Sequence, residues 1–180
     1  MRFLATKLAG AFIIEPEPHS DVRGLFARTF CAREFQQHGL AASFVQCSTS
    51  FNLASGTLRG MHYQLSPACE AKLVRCTAGS IHDVIVDLRQ DSPTYLQHIA
   101  VELTATNRRA LYVPEMFAHG FQTLEENTEI FYQINEFYAP EKSTGLRFDD
   151  PKLAISWPRP VTAMTDKDLN WPLLDLNPVQ

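Results

Sequence analysis

No stretch of this 180-residue chain approaches the roughly 20 apolar residues that a membrane-spanning helix needs. Met1–Lys7 has neither a long apolar run nor a small-residue cleavage pattern, so no signal peptide is expected and a cytoplasmic location is. Cysteine is sparse and scattered: Cys31, Cys47, Cys69 and Cys76 include no C-x-x-C pair. That spacing argues against a zinc site or a disulfide framework and reads as free thiols in a reducing compartment. Basic residues are not in excess, and the net charge of −4 leaves no electrostatic footprint for nucleic acid or an anionic membrane. A few local arginines would still suffice to hold a diphosphate. Internal repeats and low-complexity tracts are also lacking.

What remains is an ordinary globular composition, 45% apolar and 20% charged. Its length suits a single domain over residues 1–180 with a sizeable core. One short helix is expected at Ala32–His38, stopped by Gly39. Most of the rest reads as strands. Lys72–Cys76, Ile81–Leu88, Ile99–Leu103, Ala110–Val113 and Glu129–Asn135 are short, β-rich and separated by turn residues such as Ala78-Gly79-Ser80. Many short strands closely spaced predict an all-β sandwich or barrel, for which a jelly roll is one standard closure. From Asp149 onward the chain is richer in proline and less periodic, which predicts a packed extension with short helices.

Three segments carry polar groups that a core does not need. In Gly56–Gln64, strand alternation sets Leu58, Gly60, His62 and Gln64 against Arg59, Met61 and Tyr63. A bulge at Gly60 would bring Arg59 and His62 into one cavity. On the pattern alone, His62 equally suits a hydrogen-bonded interior position. In Glu129–Asn135, Tyr132 shares its parity with Ile130 and Ile134 and so points inward, where its hydroxyl needs a partner or a task. In Pro114–Phe121, a loop leading into a strand, His119 stands between small residues that leave room for a ligand or suit a tight turn. Lys72 and Asp83 each sit in an apolar strand and form a candidate ion pair. Jelly-roll barrels often hold metals on an H-x-H pair, and this chain has none, so no metal is expected.

Together these segments closely resemble the dTDP-4-dehydrorhamnose 3,5-epimerase family, from Asp21-Val22-Arg23-Gly24-Leu25-Phe26 to Thr165-Asp166-Lys167-Asp168. The motifs between are Gly56–Gln64, Ala71–Cys76, Asp83–Arg89, Ala118–Phe121 and Phe148–Pro151. The resemblance implies a cupin jelly-roll barrel that acts as a homodimer on a nucleotide-diphosphate sugar without metal or cofactor. It implies that His62 is the catalytic base, oriented by Asp168, that Tyr132 is the acid, and that Lys72 lies beside an enolate oxygen. Arg59 and His119 are implied to line the sugar and diphosphate region, Arg23 and Gln46 to contact the nucleotide sugar, and Tyr138 to stack on the base. Asp83 is grouped with these substrate-binding residues.

The chain departs from the family pattern where Arg28 and Ser143 replace glutamates and where the family has an asparagine near the position of Ser48. All three lie at the nucleotide end, which leaves the identity of the base open. Other readings are epimerisation at one carbon, a keto-sugar isomerase, a non-catalytic sugar-nucleotide-binding cupin and a metal-dependent oxygenase. The missing H-x-H weighs against the last. The joint presence of His62, Lys72, Tyr132 and Asp168 weighs against binding alone, which has no use for an acid and a base.

Overall fold

The computed structural model describes residues 1–174. Its first elements are β1 (Arg2–Ala5), β2 (Phe12–Glu15), β3 (His19–Asp21), β4 (Gly24–Phe26), α1 (Ala32–Gln37) and β5 (Gln46–Asn52). Then come β6 (Leu58–Gln64), β7 (Lys72–Ala78), β8 (Ser80–Asp87), β9 (His98–Thr104) and β10 (Ala110–Val113). The last are β11 (Phe117–Thr123), β12 (Thr128–Ile134), β13 (Ser143–Gly145) and α2 (Asp166–Leu169). Six strands form one antiparallel sheet in the order β1-β2-β10-β7-β12-β5, and five form a second, β13-β6-β11-β8-β9. The two sheets enclose a common core and make a jelly-roll barrel of the cupin type, while β3 and β4 pair only with each other.

The strands read from the sequence between residues 72 and 135 all appear, with ends moved by a few residues, and α1 stops at Gly39 with φ +70°. Missed were β1, β2, β3, β4, β5 and β13. β5 is the instructive case. Its sequence Gln-Cys-Ser-Thr-Ser-Phe-Asn has almost no apolar alternation, because it is an edge strand whose inward row is polar. The C-terminal extension carries a single short helix, α2, among the described residues.

Three apolar clusters build the layers. Val74, Cys76 and Ile130 of the six-stranded sheet meet Ile81, Ile85, Leu103, Phe117 and Phe121 of the other inside the barrel. Outside the six-stranded sheet, Phe35 of α1 packs with Leu73, Ala110 and Tyr112. Outside the five-stranded sheet, Met61, Val84, Val86 and Ala118 are covered by Leu146, just after β13, and by Leu153 and Trp157 of the C-terminal extension. Each large side chain buried in this way contributes about 1.5–3 kcal/mol. The third cluster therefore ties the extension to the barrel.

One irregularity decides where the polar side chains point. Across β6 and β11, His62 pairs with His119 and Arg59 with Phe121, so three residue steps on β6 match two on β11. The extra residue is a β-bulge at Gly60, φ +133°. Met61 turns outward into the extension's cluster, and Arg59 and His62 fall on the same inner side. A Cβ on Gly60 would lie 2.5 Å from the Gly120 Cα, so the crossing needs glycine.

Gly60→Ala is expected to cost about 3 kcal/mol in urea unfolding, combining overpacking with a left-handed φ. Gly39→Ala, also at positive φ but with nothing within 4 Å of the new Cβ, isolates the backbone part, about 1 kcal/mol. Equal losses in the two variants would mean that the contact with Gly120 relaxes freely.

Candidate active site

Between the two sheets, one end of the barrel opens as a cleft of about 690 Å³, within the range of small-molecule sites. Its walls include Gln46, Ser48 and Ser50 of β5, Arg59 and His62 of β6, Lys72 of β7, His119 of β11 and Tyr132 of β12. Tyr138, Ser143, Lys167 and Asp168 complete the rim. Eight of the ten residues singled out in the sequence thus line one cavity. The exceptions are Arg23 and Asp83.

His62 Nε2 lies 2.6 Å from Asp168 Oδ1. An ionised carboxylate only accepts hydrogen bonds, so Nε2 carries the proton and Nδ1 keeps a free lone pair. Asp168 itself is 4% exposed and is held from several directions. Its N–H donates to Thr165 Oγ1, the cap of α2, while Gly60 N–H and Trp171 Nε1–H donate to its carboxylate, both at 3.3 Å. Burial pushes the Asp168 pKa up, but the bonds from His62, Gly60 and Trp171 outweigh it and hold the group below the ordinary aspartate value. Gly145 makes room for this arrangement, since a Cβ there would meet the Trp171 ring at 2.5 Å.

On the opposite wall, Tyr132 stands on the six-stranded sheet, edge-on to His119 with ring centroids 6.1 Å apart. Burial drives its phenol pKa well above the usual value and nearby Asp83 adds to this, against weaker opposing effects of Arg59 and Ser50. It stays a neutral hydrogen-bond donor. Arg59 is aimed by Asn52, whose Oδ1 accepts from its Nε at 2.7 Å. Tyr138 N–H donates to Gln46 Oε1 at 2.6 Å, which leaves the Tyr138 ring exposed at the mouth.

Two expectations, both about Asp83, need correction. Lys72 does not pair with Asp83: its Nζ lies 2.9 Å from Glu70 Oε1. Asp83 belongs to β8 in the other sheet and bonds His119 Nε2 at 2.7 Å. It is fully buried behind His119, so it is not on the cleft wall either. Arg23 lies outside its own chain's cleft. It sits at the tip of the β3–β4 hairpin, its side chain 85% exposed, and bonds Asp21. Of the positions that depart from the family pattern, Ser48 and Ser143 line the cleft, whereas Arg28 lies elsewhere and bonds Glu34.

Glu70 and Asn52 went unread in the sequence. Glu70 lies two residues before Lys72, the spacing that places side chains on one side of extended chain. Asn52 ends the alternating polar row Gln46, Ser48, Ser50, Asn52. Among the described residues, no three His, Cys, Asp or Glu side chains gather as a metal site requires.

Against known proteins, residues 5–175 match the family model described as dTDP-4-dehydrorhamnose 3,5-epimerase. The enzyme of that name from Methanothermobacter thermautotrophicus is 44% identical, over 99% of this chain and 97% of its own. The crystal structure of the Bacillus anthracis enzyme with TDP and PPi bound superposes with a TM-score of 0.91 at 39% identity, covering 96% of this chain and 99% of that one. A Legionella pneumophila dTDP-6-deoxy-D-glucose-3,5-epimerase, in complex with dTDP-4-keto-L-rhamnose, gives a TM-score of 0.90 at 37% identity, covering 97% and 93%.

Asp168→Asn should mix the His62 tautomers, read as imidazole nitrogen shifts by NMR, because an amide offers a donor as well as an acceptor. Because folding depresses the Asp168 pKa, its contribution is fully present above the unfolded value and lost as pH falls through the folded one. The wild-type advantage over Asp168→Asn in unfolding free energy should therefore hold at neutral pH and shrink below about pH 3.9. A gap independent of pH would mean that the carboxylate charge is not what ties α2 down.

Proposed function

The chain belongs to the dTDP-4-dehydrorhamnose 3,5-epimerase family and is an enzyme of the isomerase class; we propose that it inverts carbons 3 and 5 of a dTDP-linked 4-keto-6-deoxy sugar with the residues of this cleft. The observation that carries the reading is that a histidine with a free Nδ1 and a neutral phenol face one cavity from opposite sheets. A ketone at carbon 4 acidifies the hydrogens on carbons 3 and 5, because loss of either leaves an enolate delocalised onto oxygen. His62 Nδ1 takes the proton, and the Asp168 carboxylate stabilises the imidazolium that results. Lys72 faces the oxygen that gains charge, so its attraction grows as the proton leaves and lowers the barrier selectively. Tyr132 then returns a proton from the other face, which inverts the centre. His119, backed by Asp83, and Arg59, aimed by Asn52, hold the sugar and the diphosphate.

Gln46 and Tyr138 lie at the mouth, where Tyr138 offers an exposed ring for the base. Arg23 fits the same task only from a second copy. The hairpin that carries it projects Val22 and Phe26 into solvent and pairs with no other strand among the described residues. In a homodimer it would reach the partner's cleft and bring Arg23 to the nucleotide. The four cysteines are free thiols, which suits a cytoplasmic location, and no helix among the described residues is long and apolar enough to cross a membrane.

The reaction is followed by NMR in deuterated water with the dTDP-linked 4-keto-6-deoxy sugar. Label at both carbons 3 and 5 is expected, and label at one alone would make the protein a single-carbon epimerase. His62→Ala should abolish exchange. Tyr132→Phe keeps the ring and its packing, so exchange should persist while inverted product falls by about 10²–10⁴. If exchange and inversion decline in step, Tyr132 is not the acid.

The dimer is tested by mixing. Arg23→Ala should raise KM and His62→Ala should remove kcat. At substrate concentrations well below the raised KM, dissociating and reassociating the two should restore about a quarter of wild-type activity, from mixed dimers with one intact cleft and one intact hairpin. No recovery would place Arg23 outside the partner's site.

A further inference from the structure

Glu70 is an ionisable side chain of the cleft with no part in the reaction described above. It lines the cleft beside Lys72, and both members of the ion pair are buried, with side-chain exposures of 9% for Lys72 and 10% for Glu70. The backbone between them is pinned. Ala71 N–H donates to Asn135 Oδ1 at 2.6 Å, and Ala71 O accepts from Asn135 N–H at 3.2 Å, just past the end of β12. Glu70 is therefore fixed against the same sheet that presents Tyr132. The other carboxylates of the region are engaged elsewhere, Asp168 with His62 and Asp83 with His119.

An ammonium on a four-carbon stem has several rotamers to choose from in such a place. A fixed carboxylate within hydrogen-bond reach selects one of them. It also offsets part of the positive charge, so its benefit lies in holding the donor where charge develops rather than in strengthening the field.

We propose that Glu70 is a positioning residue that holds the Lys72 ammonium directed at the enolate oxygen. This rests on the role given to Lys72 above. Glu70 transfers no proton and does not contact the sugar carbons.

The test compares wild type, Glu70→Gln, Lys72→Ala and the double variant, with kcat and KM taken from epimerised product and from solvent exchange. Glutamine has the shape of glutamate, so the cleft is preserved. Glu70→Gln should lower kcat by on the order of 10²-fold, the scale of a misplaced catalytic group, with KM near the wild-type value. In the Lys72→Ala background it should change nothing further, because its effect passes through Lys72. An equal loss in both backgrounds would overturn the proposal, as would an unchanged kcat in Glu70→Gln alone. Loss of exchange as complete as in His62→Ala would make Glu70 a base instead. A wild-type kcat for Lys72→Ala would remove Lys72 from the mechanism first, and the proposal with it.

Discussion

The close approach of Gly60 to Gly120 governs the rest of the site. With regular pairing between β6 and β11, Arg59 and His62 would fall on opposite faces of the sheet. The extra residue in β6 cancels that alternation, so both line the cleft while Met61 enters the outer cluster. Only glycines allow the two backbones to come so near. The same bulge aims Gly60 N–H at the Asp168 carboxylate. One local departure thus sets one of the cleft's cations, orients its histidine and helps anchor the segment that supplies the carboxylate.

That segment makes the site depend on the whole chain. His62 and Asp168 are 106 positions apart in sequence, yet share a 2.6 Å hydrogen bond. The extension from Asp149 has little regular structure, and it is held by apolar burial against the outer face of the five-stranded sheet. A second histidine–carboxylate pair, His119 with Asp83, stands one strand away, and His62 and His119 are direct cross-strand partners. In both pairs Nε2 faces the carboxylate, so both rings turn the other nitrogen away from it.

Each cation lining the cleft has a fixed neighbour. Arg59 bonds Asn52, Lys72 bonds Glu70, and Lys167 stacks over the Trp171 ring. Lys72, the buried one, would be costly without its partner, and groups held in place need little reorganisation when a diphosphate or an enolate arrives. The cluster around Asp87 shows the same principle without chemistry. Burial there opposes ionisation, yet bonds from Arg89, Ser92 and Thr94 hold the group far below the ordinary carboxylate range and fasten the β8–β9 connection.

The sequence alone determined the all-β architecture, because β-rich runs broken by glycine, proline and asparagine leave few other ways to bury their apolar faces. The motif around His62, read with those holding Lys72, His119, Tyr132 and Asp168, also determined the family, and Gly60 hinted at the bulge. The tertiary structure alone decided the pairing of charges. Lys72 and Asp83 were matched as two polar residues in apolar strands, but periodicity does not say which sheet a strand joins, and the barrel set them on different walls. It also showed β5, whose inward row is polar and so carries no apolar signal, and with it Asn52. Arg23 marks the same limit. A motif names a contact, but only the packing shows that a hairpin turned to solvent leaves Arg23 far from the cleft of its own chain.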